Sequence, residues 1–121
     1  MIVDLYMDRL ARVRVRFATT LAGKIDETCA AIPRLSDPAP AVGAAAVAEA
    51  YRCVHGIVGV GPTVGFPASG SVAHDVEDIL RQPQQERRGL TADETVRVTK
   101  TLQELREVAA RELQSFESTK S

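Results

Sequence analysis

The chain has 121 residues, 45% of them apolar and 26% charged, so at roughly 100 to 200 residues per domain it should build one core and is not disordered throughout. Fifteen Lys and Arg against sixteen Asp and Glu give a net charge of -1; with no bulk positive field to release counterions, nucleic acid is not an expected partner. No apolar run approaches the about 18 residues of a membrane span, and Asp4, Asp8 and Arg9 interrupt the stretch a secretory leader would need, so a cytoplasmic protein without a membrane partner is expected.

The first predicted helix covers residues 2–32. Leu10, Val13, Phe17, Leu21, Ile25, Cys29 and Ile32 recur at spacings of three and four, while Arg9, Arg12 and Arg16 line another, solvated face. Pro33 should end it. Asp37 followed by Pro38 offers a capping oxygen and a proline at a first helical position, which predicts a second helix over 38–64. Its opening turns, Ala41 to Ala50, are alanine-rich and let a neighbouring helix come close. From His55 the chain then reads HGIVGVGPTVGF, with four glycines and one proline in twelve residues. Each interior glycine costs a helix about 1 kcal/mol, and proline more. Something other than helix stability selects this segment.

A third helix is predicted over 67–82, with Val72, Val76, Ile79 and Leu80 on one face. A polar connector containing Pro83 and Arg87-Arg88-Gly89 follows. Thr91 and Glu94 then have the spacing of a capping box, opening a last helix over 91–117 striped by Val98, Leu102, Leu105, Val108, Leu113 and Phe116. The tail from Glu117 to Ser121 is polar and is read as frayed. Four helices on short connectors predict an all-α protein, an antiparallel up-down four-helix bundle in one domain over 1–121. With three Phe and two Tyr, its core should be aliphatic. Cys29 and Cys53 lack a CxxC spacing and are read as small buried hydrophobes.

Three readings compete for residues 55–66. Ile57 to Gly65 could be a strand entering a dinucleotide-binding turn, but an alanine-rich helical stretch precedes it and no second apolar strand follows. The glycines could simply let two helices touch. Alternatively, Gly56 and Gly59 clear space around His55, leaving an imidazole on a helix face that another protein can reach.

His55, Ile57, Gly59, Gly61 and Gly65 reproduce the pattern H-x-[LI]-K-G-x-[small]-x-x-x-G, with Phe66 directly after it. In these residues the chain resembles histidine-containing phosphotransfer (Hpt) domains, and is most similar to the phosphoacceptor domain of chemotaxis histidine kinases. His74 and Glu77 lie 19 and 22 residues beyond His55, the offsets of the histidine and glutamate that support the active histidine there. The similarity in helix order spans the whole chain; the motif itself lies within residues 55–80. Two positions depart from the pattern. Val58 stands where the family has lysine, which removes a cation near the incoming phosphoryl group, and Pro62 should kink or end the second helix. Arg52, three residues before His55, is the candidate substitute cation.

The resemblance implies that His55 is a phosphoacceptor. Phosphoryl transfer needs an unprotonated ring nitrogen in line with phosphorus. A carboxylate accepting from Nδ1–H fixes the tautomer and leaves the Nε2 lone pair facing outward, and Glu77 is the candidate for it. His74 would support this network; the alternatives are a solvent-facing His74 and an exposed Glu77. The expected docking face comprises Arg52, Gly56, Ile57, Val58, Gly59 and Pro62. The chain has no GxxxxGK[ST] loop and is expected to hold no cofactor or metal. By resemblance, Mg²⁺ and an acceptor aspartate belong to a response-regulator receiver domain, and ATP to a separate histidine kinase. The protein would be a monomeric phosphoryl carrier rather than a self-sufficient enzyme. The other reading is an Hpt-like adaptor that binds a kinase or receiver without being phosphorylated.

Overall fold

A computed structural model describes residues 2–120, with side chains described from 4 to 118. Among the described residues the chain is all-helical and has no strand. It runs α1 (Ile2–Ala30), α2 (Ile32–Leu35), α3 (Pro40–Val60), a 3₁₀ turn (Pro62–Val64), α4 (Pro67–Gln85) and α5 (Ala92–Lys120). The dinucleotide reading falls here, because the residues that would form its strand are the last turns of α3.

Several boundaries differ from the sequence expectation. The first helix stops at Ala30 rather than at Pro33, and Pro33 sits in the opening turn of α2, where its missing N–H costs nothing. Helix α3 begins at Pro40 rather than Pro38, because Asp37 Oδ1 accepts from the Ala39 N–H at 2.8 Å and so closes a local turn before the helix starts. It ends at Val60 rather than residue 64. The Gly61 N–H still reaches the Ile57 carbonyl at 2.8 Å, whereas Pro62 has no N–H to continue the ladder. Helix α4 runs through Pro83 to Gln85 instead of stopping at residue 82; Pro83 is buried, so packing outweighs its lost hydrogen bond. Helix α5 opens one residue after the expected start and continues to Lys120, through most of the tail expected to fray; Ser121 lies outside the described residues.

Helix α1 packs on α3 and α5, and α4 packs on the same two helices, so the contacts among the four long helices close into a ring. Inside it lie Phe17, Leu21 and Ile25 of α1, Val47, Val54 and Ile57 of α3, Val72, Val76 and Leu80 of α4, and Val98, Leu102 and Leu105 of α5. Burying one such side chain contributes about 1.5–3 kcal/mol. Val54 and Ile57 thereby offset the intrinsic cost of Gly56 and Gly59 and keep the end of α3 helical. The predicted stripe of α1 buries only from Phe17 to Ile25, and Val13 is 43% exposed. Aliphatic residues dominate the core, but Phe17, Phe66 and Phe116 form a chain of ring contacts at 5.1 and 5.8 Å. Cys29 and Cys53 are free and half-buried.

The ends of the helices are tied by specific bonds. The expected capping box forms: the Glu94 N–H donates to Thr91 Oγ1 at 3.1 Å and the Thr91 N–H to Glu94 Oε1 at 2.9 Å. Arg88 adds a two-pronged bond to the same carboxylate, at 2.8 and 3.1 Å. Helix α4 has no cap of its own; its first amides, Ala68 and Ser69, donate to Glu112 of α5 at 3.0 and 2.7 Å. Between the connectors, the Leu90 N–H donates to the Leu35 carbonyl at 2.8 Å. There Gly43 meets Gly89 so closely that a β-carbon on Gly43 would lie 2.9 Å from the Gly89 α-carbon.

Candidate functional site

His55 lies near the end of α3, with Val54 and Ile57 fully buried on the inward side of the helix. A helix turns about 100° per residue, so two inward anchors at 54 and 57 rotate residue 55 outward. Its side chain is 68% exposed, while that of Glu77, on the neighbouring α4, is only 6% exposed. The two meet directly, His55 Nδ1 on Glu77 Oε2. When the Glu77 carboxylate is ionised it can only accept, so Nδ1 is the donor and, in the neutral ring, the lone pair is left on Nε2.

The rest of the shell comes from residues one helical turn away. Tyr51 stacks on His55 with ring centroids 5.9 Å apart and planes 11° from parallel. Arg81, one turn beyond Glu77, brings its guanidinium within 3.5 Å of Glu77 Oε1 and bonds Asp78 at 2.6 Å. The hydrogen bond to Asp78, and secondarily Tyr51, raises the Arg81 pKa further above its ordinary range. Sequence pattern singles out neither Tyr51 nor Arg81. The only available signal is spacing, since each lies four residues from a candidate, at positions 51 and 55 and at 77 and 81.

The other candidate residues separate clearly. His74 is exposed and pairs through Nδ1 with Asp78 at 3.4 Å, so its partner is a carboxylate of its own helix. Ile57, expected on the docking face, is 1% exposed and belongs to the core; it is one of the anchors that turn His55 outward. Arg52, Gly56, Gly59 and Pro62 are exposed and Val58 is half-buried. A β-carbon at Gly56 or Gly59 would meet nothing within 4 Å, so the approach to His55 along α3 is open. Gly65, with φ of 96°, takes a left-handed turn beneath Arg14, which donates to the Val64 carbonyl at 3.1 Å. Beside Gly59, an apolar hollow between α1 and α3 is lined by Tyr6, Leu10, Val13, Val60 and Val64.

His74, Asp75 and Asp78 each bring a ligand atom to within 4.8 Å of one another on the exposed face of α4. Asp78 is engaged by both His74 and Arg81, so two of the three members are already held in ion pairs. No described helix is long and apolar enough to cross a membrane. No family model matches the chain, and neither a curated protein nor a solved structure matches it.

Proposed function

We propose that the protein is a histidine phosphotransfer domain of a cytoplasmic phosphorelay, in which His55 accepts a phosphoryl group and exchanges it with the aspartate of a response-regulator receiver domain. The observation that carries this reading is the pairing of an exposed imidazole with a buried carboxylate through Nδ1. The ring of contacts among α1, α3, α4 and α5 agrees with an antiparallel up-down four-helix bundle, with α2 a short insertion in a connector.

In the step proposed, the Nε2 lone pair of His55 attacks the phosphorus of an aspartyl phosphate. The Nε2–P bond forms as the P–O bond breaks, and the carboxylate of the aspartate leaves with the electron pair. The ring keeps its Nδ1 proton and becomes positively charged, with that proton held against Glu77. Mg²⁺ and the aspartate belong to the receiver, and ATP to a separate kinase. The receiver docks over the exposed face of α3 at Gly56, Gly59 and Pro62, extending toward the apolar hollow beside Gly59. A small, transient interface suffices for such an encounter.

The test is incubation with the phosphorylated receivers of its own cell, and with that cell's histidine kinases plus ATP. Acid-labile, base-stable phosphate on the parent, abolished by His55→Gln with unchanged helical circular dichroism, is the expected result. A second reading rests on Val58, which removes the motif cation: an Hpt-like adaptor that binds a kinase or receiver and takes no phosphate. Binding to an active partner without any phosphate transfer would establish that reading instead.

A further inference from the structure

A phosphoryl group on Nε2 of His55 would bring about two negative charges to a region that already holds the buried Glu77 and the exposed Asp75 and Asp78. On α3 the residue three positions after His55 is the apolar Val58. Positive charge must therefore come from elsewhere. Arg52 is exposed on α3, but the cation in contact with the pair is Arg81, whose guanidinium faces Glu77 Oε1 at 3.5 Å while His55 occupies Oε2.

We propose that Arg81 is the positioning residue of this site: it holds the second oxygen of the carboxylate that orients His55, and supplies from α4 the positive charge that Val58 does not supply from α3. The proposal deepens the phosphoacceptor reading of His55 and rests on it. Two contacts support it. The ion pair to Glu77 limits rotation of a carboxylate that would otherwise have one oxygen available for other partners. The 2.6 Å bond to Asp78 anchors the guanidinium from its other side. The Arg81 side chain remains 43% exposed, which leaves it accessible to an arriving phosphoryl oxygen.

The test uses Arg81→Gln and Arg81→Lys in the full chain, with two independent readouts. The first is the ¹⁵N shifts of the His55 ring, which report the tautomer and need no phosphorylation. The second is the rate at which phosphoramidate phosphorylates His55; Nε2 displaces ammonia, the new N–P bond replacing the old one, so no partner protein is needed. Arg81→Gln should mix the tautomers and slow phosphorylation by about tenfold or more, while Arg81→Lys keeps the Nδ1–H form and most of the rate. Thermal melts of both variants should match the parent. An unchanged tautomer and rate in Arg81→Gln would overturn the proposal, as would equal losses in both variants, since charge would then be irrelevant. A parent that takes no phosphate from phosphoramidate or any receiver sinks the reading of His55 instead, and the tautomer measurement still decides whether Arg81 positions the pair.

Discussion

Tyr51 and His55 stack one turn apart on α3, their planes 11° from parallel. The contact restricts an otherwise exposed ring to the orientation in which Nδ1 meets Glu77. Aromatic pairs of this kind contribute about 0.5–1.5 kcal/mol beyond area burial, here acting mostly on orientation. Tyr51→Ala should therefore slow phosphorylation of His55 several-fold while lowering overall stability only slightly. Tyr51→Leu, which fills space without a ring face, should behave like the alanine variant. Phosphoramidate kinetics beside a denaturant melt check both.

Glu77 accepts from His55 and lies almost wholly out of solvent. Glu77→Gln keeps the shape but offers a neutral amide, so the Nδ1–H tautomer loses its ionic acceptor. Phosphorylation should fall by about 10- to 100-fold, the usual effect of losing an orienting carboxylate. The fold should persist, with the change visible in the His55 ring ¹⁵N shifts.

The glycines should divide by location. Gly56 and Gly59 have open space where a β-carbon would go, and alanine there should stabilise α3 by about 0.5–1 kcal/mol each. If a receiver docks on this face, the same variants should transfer phosphate more slowly, so stability and transfer move in opposite directions. Gly70 is the contrast: its β-carbon would lie 2.7 Å from both Cγ and Cδ of Pro62. Gly70→Ala should destabilise by about 1–3 kcal/mol through overpacking. Urea melts of the three variants test the division.

The Arg88 hydrogen bonds hold the Glu94 carboxyl down at about 2, from an ordinary 4.5. Because the folded value is the depressed one, the unfolded chain takes up the proton first as pH falls. The stabilisation is therefore complete above the unfolded value and is lost as pH drops toward about 2. Melting temperature should decline across that interval, and Glu94→Gln should flatten the decline while leaving the neutral-pH helix content intact.

Much of this architecture can be read in the sequence where a local rule acts alone. The Thr91–Glu94 box needs only a spacing of three, and Val72, Val76, Ile79 and Leu80 need only helical periodicity; the structure contains both. The readings fail where two rules compete. Asp37 and Pro38 look like a helix start, but a second proline two residues on makes the intervening turn the better solution. Val13 fits the apolar stripe of α1, yet that half of the helix extends past the core that would have covered it. At the site, His55 and Glu77 are legible as a pair, whereas Ile57 looks like surface because its neighbours include glycines. Tyr51 and Arg81 escape the sequence because their importance depends on which helix faces meet, and periodicity alone does not determine that.

The contact between Gly43 and Gly89 lies far from the histidine, twelve residues along α3 or about 18 Å of helix axis. It nevertheless acts as an end-stop. With no side chain on either residue, α3 seats against the connector that joins α4 to α5, and its lengthwise setting relative to α4 is fixed from that end. A methyl group inserted there would slide the whole rod, and the imidazole at its far end would travel with it, away from the carboxylate waiting on the next helix.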